Sequence, residues 1–173
     1  MMNFHPIKTG LFISMLVVLY GFSLGIVFGG YEDDIKENYS KKADSVLETV
    51  YQNDVAKKEK HVDKAWEFLK LAHTHALGLG PIALVLIVLL GLIHAGELIK
   101  IITSVGIGIG SLGYPVYWTI ASLQTPTAAN YHQVKESLWW VAQPAAGLCF
   151  LGLLVIMFLF VKNHLLVCPR KEK

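Results

Sequence analysis

The stretch LAHTHALGLGPIALVLIVLLGLIHA, residues 71–95, decides the fold: it holds no Asp, Glu, Lys or Arg and is dominated by aliphatic side chains. A helix rising about 1.5 Å per residue needs about 20 apolar residues to cross a hydrocarbon layer of about 30 Å. This stretch meets that length. Working outward, three further stretches read the same way, at about 11–30, 101–123 and 138–161. In lipid a backbone must satisfy its own amide groups, so each is expected to be a helix. The expected fold class is therefore all-α: a four-helix transmembrane bundle with an extramembrane helical segment, residues 31–70, between the first two spans.

Composition agrees. The chain has 173 residues, 54% hydrophobic and 16% charged, against about 25% charged in a typical soluble domain. Its mean hydropathy is +0.49. A formal net charge of +2 with no basic tract excludes nucleic acid as a partner. The two cysteines, Cys149 in an apolar run and Cys168 in the basic tail, form no disulfide framework and are expected to be free thiols. The first span, preceded by Lys8 and lacking an Ala-x-Ala site, reads as an uncleaved anchor. The second and third are joined only by Gly96-Glu97-Leu98-Ile99-Lys100, short enough to make them an antiparallel hairpin. With no internal repeat, residues 1–173 read as one integral membrane domain.

Orientation follows the Lys and Arg count in short flanking segments. The tail carries Lys162, Arg170, Lys171 and Lys173, whereas the segment 124–137 carries only Lys135. Both termini are thus expected on the cytoplasmic side, with residues 31–70 outside and a bacterial inner membrane as the setting. Trp66, Phe68, Tyr114, Tyr117, Trp118, Trp139 and Trp140 all fall at the outer boundary and read as an interfacial belt. In the outer segment Ile35, Tyr39, Ala43, Val46, Leu47, Val50 and Tyr51 recur at helical spacing, the stripe of an amphipathic helix lying on something. Gln52-Asn53-Asp54 reads as a break with a cap, after which Val55 onward feeds straight into the second span.

Two features carry chemistry. Small residues repeat at four-residue spacing: Gly21, Gly25 and Gly29; Gly106 and Gly110; Ala142 and Ala146. Close helix contact explains such rows, and so does a face on which a flat macrocycle or quinone ring rests. The seven histidines group at the two boundaries: His61, His73, His75 and His132 outside, His5, His94 and His164 inside. At about 100° per residue the step from His73 to His94 falls about 60° short of whole turns, so both share one face of the second helix. His73 and His75 diverge by about 200° and chelate one metal only if Gly78, Gly80 and Pro81 let the helix unwind.

Imidazole is a good axial ligand for haem iron, and membrane four-helix bundles commonly hold haem between facing histidines. On that reading haem b is the cofactor. The metal ligands are His73 or His75 with His132 at an outer site, and His94 with His164 or His5 at an inner one. The two sites would stand about 31 Å apart along the second helix, so one haem is easier to defend than two. Boundary histidines also suit a zone where one ring edge is wet, without any ligand. Glu97, three residues from both His94 and Lys100, forms with them either a second shell or the polar turn of the hairpin. Phosphate-loop, nucleophile-elbow, His-Glu-x-x-His and Cys-x-x-Cys patterns are absent from the sequence.

The expected function is an electron-transfer subunit working with quinol or a larger redox complex. The alternative is a noncatalytic accessory subunit, docked through its glycine rows to other membrane subunits or to a second copy. Lipid is a partner in either case.

Overall fold

A computed structural model of the chain describes residues 4–165 and the side chains of residues 4–163. Among these residues all regular structure is helical. After a single turn at His5–Ile7 come α1 (Lys8–Asp44), α2 (Val55–Leu92), α3 (Glu97–Gln124), the short α4 (Tyr131–Ser137) and α5 (Trp139–Phe160), followed by a wider turn at Val161–Leu165. Four of the helices are long and apolar enough to cross a membrane.

α1, α2 and α3 run past the expected span limits, and only the C-terminal end of α2, at Leu92, falls clearly short. No break separates the first span from the outer segment: α1 kinks at Tyr31 (φ −138°, ψ 23°) and continues to Asp44. The predicted amphipathic helix ends there, and residues 45–53 are turns that reverse the chain. The predicted break is found, with Gln52 and Asn53 in the left-handed region (φ 55° and 62°) and the Asp54 carboxylate accepting from Lys57 N at 2.9 Å. From that cap α2 continues unbroken through Gly78, Gly80 and Pro81. The unwinding that a His73–His75 chelate requires is therefore absent.

At its other end α2 stops at Leu92, with Ile93 extended and Lys100 Nζ donating to Gly91 O at 3.0 Å. His94 consequently lies off the helix, so the face it was expected to share with His73 does not exist. The His94–Glu97–Lys100 helical trio dissolves for the same reason, its lysine being drawn back to cap α2 instead.

Three helices form the core. α1, α2 and α3 pack on one another, whereas α5 leans mainly on α3 and scarcely reaches α2. Glycine permits the close approaches. A Cβ on Gly108 would stand 3.1 Å from Gly10 O, one on Gly80 3.1 Å from Val18 N, and one on Gly110 2.6 Å from Ala145 O. At Gly21 and Gly25 it would meet Leu77 and His73, while at Gly29 the space is open. Close packing thus accounts for most of the glycine rows. The rows themselves missed Gly10, Gly80 and Gly108, because helices crossing at an angle touch at single points rather than along a stripe.

The outer segment lies on α2 and the end of α3. Tyr39 packs with Ala65, Trp66 and Leu69. Its hydroxyl meets Ser122 Oγ at 2.6 Å, and that hydroxyl in turn donates to Ala65 O at 2.7 Å. Since Ser122 has one proton, Tyr39 is the donor in the first bond. Tyr51 donates to Pro126 O at 2.6 Å. Burial holds both phenols above their ordinary value of 10.0.

The aromatic belt is only partly a belt. Trp139 and Trp140 are exposed, as interfacial anchors should be. Trp66, Phe68 and Tyr117 are buried in the packing of the outer half, where the helices have a protein neighbour to face.

Candidate functional site

Every fourth or third residue of α2 from His75, namely Leu79, Ile82 and Leu86, lies along one face of the helix. α3 brings Gly110 and Tyr114 to that face, and α5 brings Ala145, Ala146, Cys149, Phe150 and Leu153. Because α5 is seated on α3 and not on α2, a groove of about 380 Å³ stays open between them. Its floor is low because Gly110, Ala145 and Ala146 have almost no side chain. Its wall is almost wholly apolar, the polar atoms at one end adding next to nothing to its surface.

That end is headed by His75 and Tyr114. Their rings meet edge to face, centroids 4.8 Å apart at 86°, and the imidazole lies parallel to Trp118 at 6.2 Å and 9°. Among the described residues neither ring nitrogen of His75 and no hydroxyl of Tyr114 has a hydrogen-bond partner. The buried indole N–H of Trp118 lacks one too. A neutral imidazole offers one donor and one acceptor, and a phenol offers both from one oxygen. The head of the groove therefore holds unpartnered polar atoms beside, rather than in, an apolar wall that accepts the body of a hydrophobic ligand.

The other histidines are placed as follows. His73 points the opposite way from His75, toward α1, with Nδ1 2.9 Å from Gly21 O and its ring against Gly25 and Phe28. A carbonyl only accepts, so Nδ1 carries the proton. His132 sits exposed on α4, its ring beside Tyr131. It lines a separate cavity of about 410 Å³ with Tyr117, Trp118, Lys135, Glu136 and Trp139. His94 is exposed in the connection between α2 and α3. The side chain of His164, like Cys168 and the tail bases beyond it, falls outside the described residues. Among the described residues no three of His, Cys, Asp and Glu are grouped to hold a metal ion.

Among the described residues the most buried histidine is His61, at 3% exposure, which the sequence marked only as one of the outer group. Its Nδ1 donates to Lys57 O at 2.9 Å, its ring is held between Tyr51 and Tyr131, and its Nε2 is buried without a partner. Tyr114 and Trp118 were read as belt aromatics, not as groove residues. One signal for Tyr114 was available: it lies four residues beyond Gly110, on the small-residue face of α3.

The chain has no significant match among protein-family models, curated proteins or solved structures.

Proposed function

We propose that the chain is a single integral membrane domain of four spans that binds an isoprenoid quinone in the α2–α3–α5 groove, as part of a redox assembly. The observation that carries this reading is the pairing of a long apolar slot with unpartnered His75 and Tyr114 groups at one end. A quinone has that shape: a flat ring with carbonyl oxygens at the head and a hydrocarbon tail behind. The His75 imidazole and the Tyr114 hydroxyl would donate to the carbonyls, and the tail would lie over Leu79, Ile82 and Leu86.

The test is titration of purified protein with a short-tailed quinone, followed by quenching of tryptophan emission. Wild type should saturate. His75→Leu, which keeps the bulk and loses both nitrogens, should weaken binding about tenfold or more, as loss of a buried hydrogen bond does. His73→Leu should leave the affinity unchanged in whatever fraction folds. Equal affinity in wild type and His75→Leu would retire the proposal.

Haem b is the second reading, favoured by one observation. The Nδ1–H of His73 is held by a backbone carbonyl, the hydrogen bond that commonly orients a ligating imidazole and leaves Nε2 bare. His132 remains its candidate counterpart at that outer site, while His94 with His164 or His5 would make up a separate inner one. A Soret band lost in His73→Leu would establish haem, and colourless protein at full occupancy would dismiss it without touching the quinone reading. The accessory-subunit alternative has less to draw on, since Gly21, Gly25 and Gly110 are already engaged within the chain.

Both termini are proposed to be cytoplasmic and residues 31–70 to lie outside. A cysteine at Lys41 should then react with an impermeant maleimide added to intact cells, while one at Lys8 should react only after lysis. Labelling of both positions in intact cells would overturn the topology.

A further inference from the structure

We propose that the outward face of α5 joins a second copy of this chain, with Gln143 of each copy hydrogen-bonded to Gln143 of the other across a twofold axis. The buried residues of α5 are Ala142, Ala145, Gly152, Ile156 and Leu159, on the side that meets α3. At about 100° per residue the opposite side carries Trp140, Gln143, Gly147, Leu151, Leu154 and Phe158, one row at spacings of three and four. All of these but Gly147 are exposed.

Lipid suits the aliphatic and aromatic members of this row but not its polar groups. Elsewhere in the spans a hydroxyl finds a carbonyl of its own helix: Ser14 on Gly10, Ser23 on Leu19, Thr74 on Lys70, Ser111 on Gly108 and Thr119 on Pro115. The Gln143 amide makes no hydrogen bond among the described residues. Beside it Pro144 has no N–H, so the Trp140 carbonyl loses its regular helical donor. Trp139 and Trp140 mark the interface at the start of α5, and Gln143 lies one turn inside them. Since α5 has 22 residues, barely more than a crossing of about 20 needs, that turn already faces hydrocarbon.

A primary amide carries two donors and one accepting oxygen. A second copy related by a twofold axis therefore answers it group for group, whereas an acyl chain offers it nothing. Each Gln143 then donates one N–H to the facing Oε1 and has the other free for the facing Trp140 carbonyl. Gly147, one turn deeper, lets the two helices approach. Unlike Gly110 and Gly152, it has no close neighbour within the chain: a Cβ there would meet nothing within 4 Å, so internal packing does not account for its small size.

The interface rests on the membrane reading of α5 and is independent of the quinone reading. The experiment is energy transfer between donor-labelled and acceptor-labelled full-length chains in vesicles of phosphatidylethanolamine and phosphatidylglycerol, diluted stepwise with lipid. Wild type should show transfer above random mixing, lost on dilution. Gln143→Leu should weaken association about fivefold, the scale of a symmetric pair of interhelical hydrogen bonds in lipid. Gly147→Leu should weaken it at least as much by holding the helices apart, and it should still fold because the space inside the chain is open. Leu19→Ala, on the exposed face of α1, and His75→Leu should leave association unchanged. Wild type at the level of random mixing, or association undiminished in Gln143→Leu, overturns the interface while the spans stand, and gives that face to lipid or to a different subunit. Protein washed from the vesicles by alkaline carbonate overturns the interface and the membrane reading together.

Discussion

Gly110→Ala is expected to lower the melting temperature by about 5–10 °C, while Gly106→Ala, one turn away on the same helix, leaves it unchanged. A methyl group on Gly110 would lie 2.6 Å from the carbonyl oxygen of Ala145 and 2.7 Å from Cys149 Sγ. The first of these is backbone and has no rotamer to change, so α5 must move off α3. Overpacking of this kind costs about 1–3 kcal/mol, and in a chain of this size each kcal/mol is worth about 2–4 °C. At Gly106 the nearest atom is the end of Leu148, at an ordinary contact distance of 3.6 Å. The measurement is thermal unfolding in detergent followed by tryptophan emission. Equal melting of the two variants would show that α5 does not sit on α3 in this register. Because Gly110 is also groove floor, its alanine variant should lose quinone affinity along with stability.

Removal of the Ser122 hydroxyl should cost about 2 kcal/mol, more than removal of the Tyr39 hydroxyl that bonds to it. The two bonds form a chain, Tyr39 to Ser122 to Ala65 O. Tyr39→Phe breaks one link and leaves Ser122 still paired, a loss of about 1 kcal/mol. Ser122→Ala strands a phenol that is only 3% exposed, and a stranded buried donor carries its full desolvation penalty. The double variant should therefore be no less stable than Ser122→Ala alone, an excess that a double-mutant cycle reads directly. Strict additivity would mean that the phenol finds water in the absence of Ser122.

The same phenol links stability to pH. Burial raises the pKa of Tyr39 above the 10.0 of an exposed tyrosine. Above that value the unfolded chain releases the proton while the folded chain keeps it, so the unfolded state binds fewer protons and stability falls as pH rises. Below pH 10 the contribution is complete. Tyr39→Phe should flatten the alkaline loss in part, with Tyr51, raised by burial in the same direction, supplying the remainder.

What could be read beforehand divides along physical lines. The four apolar helices were legible because a bilayer dictates length and polarity residue by residue, and no neighbour is needed to see it. The break at Gln52-Asn53-Asp54 was legible because left-handed backbone and capping are local. Helix ends were harder: α2 stops at Leu92 rather than Ala95 because a lysine from the next helix caps it, a contact across the hairpin. Histidine depth was readable, but direction was not. His73 and His75 diverge as the helical angle requires, yet which of them meets α1 and which meets an open groove depends on where α5 packs.

The latch of the outer segment has a consequence for how the chain is made. Tyr39 and Tyr51 leave the ribosome early, but the groups that hold them, on Ser122 and Pro126, belong to the last turn of α3 and the turn just beyond it. Until that third helix has been made, the arm between α1 and α2 rests on α2 alone, so a segment near the start of translation is among the last to settle. An intermediate arrested after two crossings should expose that arm to protease, and the completed chain should protect it.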